Sequence, residues 1–170
     1  MGDRTKKQLS KALLELSKNH RIEDISIKDI TDYCELNRVS FYYHFKDKQD
    51  LMRYIYANFK KTLNLAEGHQ KENTRQLILF MQEYPDFFKQ AFQETEQNNF
   101  KTEFIKMMEG DYKIMLENKN NHTARHTQDF LALFFAYATV DMFEYIINSN
   151  NINIDEIVDD FEYAMNVGFR

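Results

Sequence analysis

The chain is constrained most by what it lacks: four glycines and one proline in 170 residues are too few turn-formers to punctuate a sheet. No stretch alternates apolar and polar residues as a half-buried strand does, whereas apolar residues recur widely at spacings of three and four. An all-α fold is therefore expected, without an internal repeat of 20 to 50 residues. Leu9, Ala12, Leu13 and Leu16 form one apolar stripe on a helix over residues 4–18, with Lys6, Lys7, Lys11 and Lys18 on its other face.

A second, short helix is expected to begin at Ser26, because Asp29 three residues on completes a capping-box pattern. Ile27, Ile30 and Cys34 then share a side. A third short helix over 37–43 follows a tight connection at 34–37, and a fourth over 48–61 starts after Asp47. Three short helices joined this way have the layout of a helix-turn-helix, whose third helix enters the major groove.

Charge divides along the same line. Residues 1–60 hold 12 Lys and Arg against 9 Asp and Glu, an excess of +3, and the remaining 110 hold 10 against 18, or -8. The basic part is suited to nucleic acid and the acidic part is repelled by phosphate. Beyond residue 72 longer, aromatic-rich helices are expected over 74–84, 86–93 after the Pro85 break, 100–116, 123–148 and 154–169, with polar runs at 94–99 and 117–122 as loops. The helix over 123–148 is apolar around most of its circumference, so it should contact its own core and something else. With the striped helix after it, it is expected to form a hairpin that pairs with a second copy across residues 123–169, Phe143 and Ile147 being candidate partner-facing positions. Asp141 and Glu144 argue against reading it as a membrane span.

The stretch from Glu35 to Leu51 carries a more specific signal. Tyr42, His44, Phe45, Lys48 and Leu51 coincide as identities with the signature of the TetR family at its recognition helix and the start of its fourth helix, and the run Ile25 to Ile30 resembles that family's second-helix start. The chain departs from the family, which often has glycine, at Glu35 and Val39. The resemblance covers about 45 residues and implies a bacterial transcription regulator with two parts. Residues 1–47 would be a DNA-binding head, and 48–170 a sensing and dimerisation body in which 48–61 is the linking helix.

In such a head Ser26 and the free N–H groups of its helix can hold a phosphate, and Lys28 can reach the backbone. Arg38 can make paired hydrogen bonds to guanine, so it is the first candidate for base readout. Ser40, Tyr42, Tyr43 and His44 offer hydroxyl, imidazole and aromatic-edge contacts, and Lys48 a phosphate contact that sets register. Phe41 and Phe45 alternate with these residues as core. The expected partner is a near-palindromic double-stranded operator.

The resemblance also implies a small-molecule sensor in the body, with Phe80, Tyr84, Phe88, Phe104, Met108 and Phe134 as candidates to line an apolar effector site; the plainer reading of each is core. Repression released by the effector is the leading expectation, and a regulator or activator whose body binds a protein partner is the alternative. His122 and His126 stand four apart but read as surface residues, and no metal or cofactor is expected. Cys34, the single cysteine, cannot form an internal disulfide and reads as packed. No phosphate loop, nucleophile elbow or carboxylate pair suggests an enzyme. With no secretory signal pattern, a cytoplasmic protein is expected.

Overall fold

The computed structural model describes residues 2–63, 69–93, 99–118, 124–149 and 151–168. Those residues form nine α-helices and no strand: α1 (Gly2–Leu16), α2 (Ile27–Tyr33), α3 (Arg38–His44), α4 (Lys48–Lys60), α5 (Gln70–Glu83), α6 (Pro85–Ala91), α7 (Phe100–Asn118), α8 (Arg125–Asn148) and α9 (Ile154–Gly168). The all-α expectation holds. The fifth helix starts four residues earlier than the apolar stripe suggests, because its first turn is polar and Glu72 pairs with Gln76 and Arg75 along the helix surface. The polar runs expected as loops, and His122, fall mostly or wholly outside the described residues.

The chain packs as two compact units, one of residues 1–63 with 84–100, the other of 64–83 with 101–170. By packing, α4 and the α6 segment fall in the same unit as the first three helices. Burial explains this. Leu51, Met52, Ile55 and Tyr56 of α4 are buried, as are Phe87, Phe88, Ala91 and Phe92 of the α6 segment, whose Gln90 bonds the backbone of Ile22 and Ser17; apolar side chains of this size are costly to leave in water. In this first unit Leu9, Leu13, Ile30, Phe41 and Phe45 complete the core, with α1 packed against α2, α3 and α4.

The second unit packs α5 against α8 and α9. Leu77, Ile78, Phe104, Leu116, Val140, Phe143 and Val158 are buried in it. Two findings alter the expected pairing face. Phe143 and Ile147 are 2% and 6% exposed, so neither is open to a partner copy. Meanwhile α9 lies chiefly along α5 rather than forming a simple hairpin with α8, because Lys71 bridges to Asp159 and Glu162 and Arg75 to Asp155, while Phe161 reaches α8 through a 5.7 Å ring contact with Phe143.

The α8 helix is long and apolar enough to cross a membrane. Its inner face, Ala132, Ala136, Thr139, Val140, Phe143, Ile146 and Ile147, is nonetheless buried in the unit, and Lys101 of α7 neutralises both Asp141 and Glu144 at 2.8 and 2.7 Å. Its outer face is a second apolar stripe, with Phe130, Leu133, Phe134, Tyr137 and Tyr145 exposed.

Candidate nucleic-acid interface

Local chemistry sets each end of the two short helices that would meet DNA. At the start of α2 the Ser26 hydroxyl oxygen accepts from the Asp29 amide at 3.2 Å, while the Asp29 carboxylate accepts from the Ser26 amide at 2.8 Å and from its hydroxyl at 2.7 Å. These bonds, side chain first and backbone second, hold the Asp29 carboxyl below its ordinary range. The hydroxyl proton of Ser26 therefore points at Asp29, and a phosphate could take it only by displacing that carboxylate.

The other end of α2 turns sharply. The Leu36 amide donates to the Thr31 carbonyl at 2.8 Å and the Glu35 amide to Asp32 at 3.1 Å, the paired bonds of a Schellman turn. That geometry puts Glu35 at φ 56°, in the left-handed region that glycine occupies without strain. The departure from the TetR signature at Glu35 thus leaves the turn itself intact. Asn37 then caps α3, its Oδ1 accepting from the Ser40 amide at 2.9 Å and hydroxyl at 3.1 Å.

A seven-residue helix cannot stand alone, and α3 is anchored by Phe41 and by Phe45 just after it, both buried and 5.8 Å apart at their ring centres. Anchoring one side turns the opposite side outward. Arg38 is exposed at the first helical position, with Val39 76% and Tyr43 83% exposed beside it; Tyr42 is half exposed, and His44 is partly covered against Tyr43. Lys28 is exposed on α2. The surface thus gathers Arg38, Tyr42, Tyr43 and His44, whereas Ser40 is turned to its cap.

Lys48 is placed differently from the phosphate contact expected of it. Its ammonium donates to the carbonyl oxygens of Ile22, Ile25 (2.8 Å) and Glu23 (3.3 Å) in the α1–α2 loop. Three protons meet three acceptors. Burial of the group pushes its pKa down, against the pull of Asp24, Glu23 and Asp29.

Several surface residues join the candidates only through the fold. Val39 is an aliphatic side chain on the outward face of α3, able to touch a thymine methyl. Its sequence signal was its position two residues from Phe41, off the core stripe. Tyr33 is exposed at the end of α2, and Arg4, Lys7 and Lys11 line an open recess on α1. Tyr54 ties α1 to α4 through Asp3 at 3.0 Å; burial and that carboxylate push its phenol up to about 12.

The six effector-lining candidates do not share one unit. Tyr84 and Phe88 belong to the first, where Phe88 packs edge-on with Phe87 and the Lys18 ammonium sits 5.2 Å from the Tyr84 ring centre. Phe80, Phe104, Met108 and Phe134 belong to the second; Phe104 and Met108 are buried, Phe80 is partly covered, and Phe134 is exposed and stacked on Phe130. Cys34 is half-buried, its thiol donating to the Gln8 carbonyl at 3.3 Å. Among the described residues no cluster of three potential metal ligands occurs.

Residues 68–166 match a family described as a transcriptional regulator C-terminal region, of the TetR type. The chain belongs to the TetR family. The match falls on the acidic half, where the sequence carries no signature motif, and joins the helix-turn-helix signature at the other end of the chain. Among solved structures, the dihydroxyacetone kinase operon activator DhaS is similar, with a TM-score of 0.71 at 21% identity, over 97% of this chain and 96% of that one. No curated protein sequence matches. This TetR-family regulator thus shares its fold with DhaS across nearly its whole length.

Proposed function

We propose that this TetR-family regulator acts as a cytoplasmic homodimer that binds a near-palindromic operator through α3 and represses until a small apolar effector binds its body. The observation that carries the DNA-binding part is the outward face of α3, where Arg38, Val39, Tyr42 and Tyr43 project from a helix held by Phe41 and Phe45. Large side chains gathered on one exposed face, rather than scattered singly, mark a surface suited to a partner. Arg38 supplies the donors that distinguish guanine, and the aromatic residues supply phosphate and methyl contacts.

The outer stripe of α8 supports the dimer. Phe130, Leu133, Phe134 and Tyr137 recur at spacings of three and four, giving the self-complementary kind of surface that a two-fold interface requires. The effector has support from the family alone. The separation of the six candidate residues between two units favours a second reading, in which the body binds a protein partner and the regulator activates transcription; DhaS is named an operon activator.

Selecting bound fragments from the source genome with the purified full chain tests the first part, and enrichment of one inverted repeat is the expected result. Loss of that enrichment in wild type, with the protein folded, would exclude sequence-specific binding. Sedimentation at micromolar concentration tests the dimer, and a monomer would sink it. A screen of small apolar compounds for melting-temperature increase coupled to operator release distinguishes effector from partner, since a ligand that favours one state must shift both readouts.

A further inference from the structure

One backbone residue of the α1–α2 loop is gripped from two sides. The Ile22 carbonyl accepts from the Lys48 ammonium at the start of α4, and the Ile22 amide donates to Gln90 Oε1 of α6 at 2.6 Å. Gln90 Nε2 also donates to the Ser17 carbonyl at 3.4 Å, near the end of α1. The Ile22 side chain is buried, so the loop is pinned by its backbone and its side chain together. Four residues further on lies Ser26, the cap of α2.

We infer that Lys48 and Gln90 are positioning residues for DNA binding: they clamp the α1–α2 loop and so set the start of α2, with Lys48 acting through the loop rather than on phosphate. This rests on the DNA-binding reading above. The chemistry suits lysine specifically. Three carbonyls converge on one point, which a compact ammonium with three rotatable donors can satisfy, whereas the planar fork of arginine spreads its donors apart. Glutamine suits the other side because a single amide can accept from Ile22 and donate to Ser17. A polar recess of about 80 Å³ beside the clamp, lined by Arg21, Gln49 and Gln93 among others, brings water within reach of these bonds.

Lys48→Ala, Lys48→Arg and Gln90→Ala in the full chain test the clamp, with operator affinity measured at several salt concentrations and amide exchange at Ile22 measured without DNA. Each variant should weaken operator binding, by roughly tenfold where charge-assisted bonds are lost, with the slope of log affinity against log salt unchanged. Lys48→Arg should resemble Lys48→Ala although it keeps the charge. Exchange at Ile22 should quicken in Lys48→Ala as well as in Gln90→Ala, since each holds the same loop residue. A slope reduced by about 0.9 per head in Lys48→Ala, restored by arginine, would show a phosphate contact and overturn the inference. So would unchanged exchange at Ile22 in Lys48→Ala. If wild type binds no duplex, the DNA reading fails while the exchange measurement still decides the clamp.

Discussion

Both α3 and α8 turn aromatic rings to solvent, but they do so on different terms. The seven residues of α3 set their rings among Arg38, Ser40 and His44, on a helix capped at Asn37 and preceded by a strained turn at Glu35. The 24 residues of α8 carry Phe130, Leu133, Phe134 and Tyr137 with nothing charged between them until Asp141, which Lys101 neutralises. Exposed aromatic area alone therefore does not identify a partner. Cations and hydroxyls interleaved with rings suit a polyanion with readable edges, whereas an uninterrupted apolar stripe suits another apolar stripe.

The two faces of α8 differ as sharply as the two helices do, and the largest expected effect lies on the inner one. Phe143→Ala should cost about 3 to 5 kcal/mol of stability by leaving a cavity beside Phe161, seen in denaturant unfolding. On the outer face Phe134→Glu should leave the monomer folded and weaken self-association by about 2 kcal/mol or more, measured by sedimentation. Should Phe134→Glu unfold the chain, the outer stripe is core; should the folded variant associate as wild type does, the stripe is not the interface, and either result breaks the contrast.

On α3 the effects should appear in DNA binding and not in stability. Arg38→Ala should reduce operator affinity by about 1 to 3 kcal/mol and relax preference at one base pair per half-site, with much less loss on random duplex. A uniform loss on all sequences would make Arg38 a phosphate contact. Glu35→Gly should raise stability by about 1 kcal/mol or less, as relief of the positive φ is partly offset by the added freedom of the unfolded chain; a drop in melting temperature would contradict the strain.

The smallest effect concerns the α2 cap. Because the Asp29 carboxyl sits below its ordinary range in the folded state, its contribution is fully present above the unfolded value of about 3.9. It is lost as pH falls through the lower folded value. Asp29→Asn should therefore lower stability slightly at neutral pH and shrink the difference from wild type in acid, followed by thermal melts from pH 7 to 2. A gap that widened in acid would mean that the carboxylate is destabilising.

Much of the head was legible because its devices are local. The Ser26–Asp29 box, the Asp47 cap and the Phe41/Phe45 anchor all act within four residues, and a pattern of residue types reports them directly, whereas Asn37, read as the first residue of the third helix, proves to be its cap. The body was harder to read because its helices share one apolar vocabulary. The α8 helix is apolar on nearly every side, so periodicity leaves open which side chains face inward, and Phe143 and Ile147, candidates for the partner-facing side, are buried. The acidic face of α9 gave no hint that Lys71 and Arg75 of α5 would capture it.

By itself the sequence determined the helices, the sharp turn before α3, and a TetR-like head, because these follow from interactions between near neighbours and from a motif with fixed offsets. The tertiary structure alone decided that α6 packs with the head, that Phe104 and Phe134 have opposite surroundings, and that Lys48 faces a loop instead of solvent. Those outcomes depend on contacts across 26 residues for Lys48 and Ile22 and 68 for Gln90 and Ile22. A long flexible cation goes where its protons find the most acceptors, and the position of those carbonyls exists only once the chain has folded.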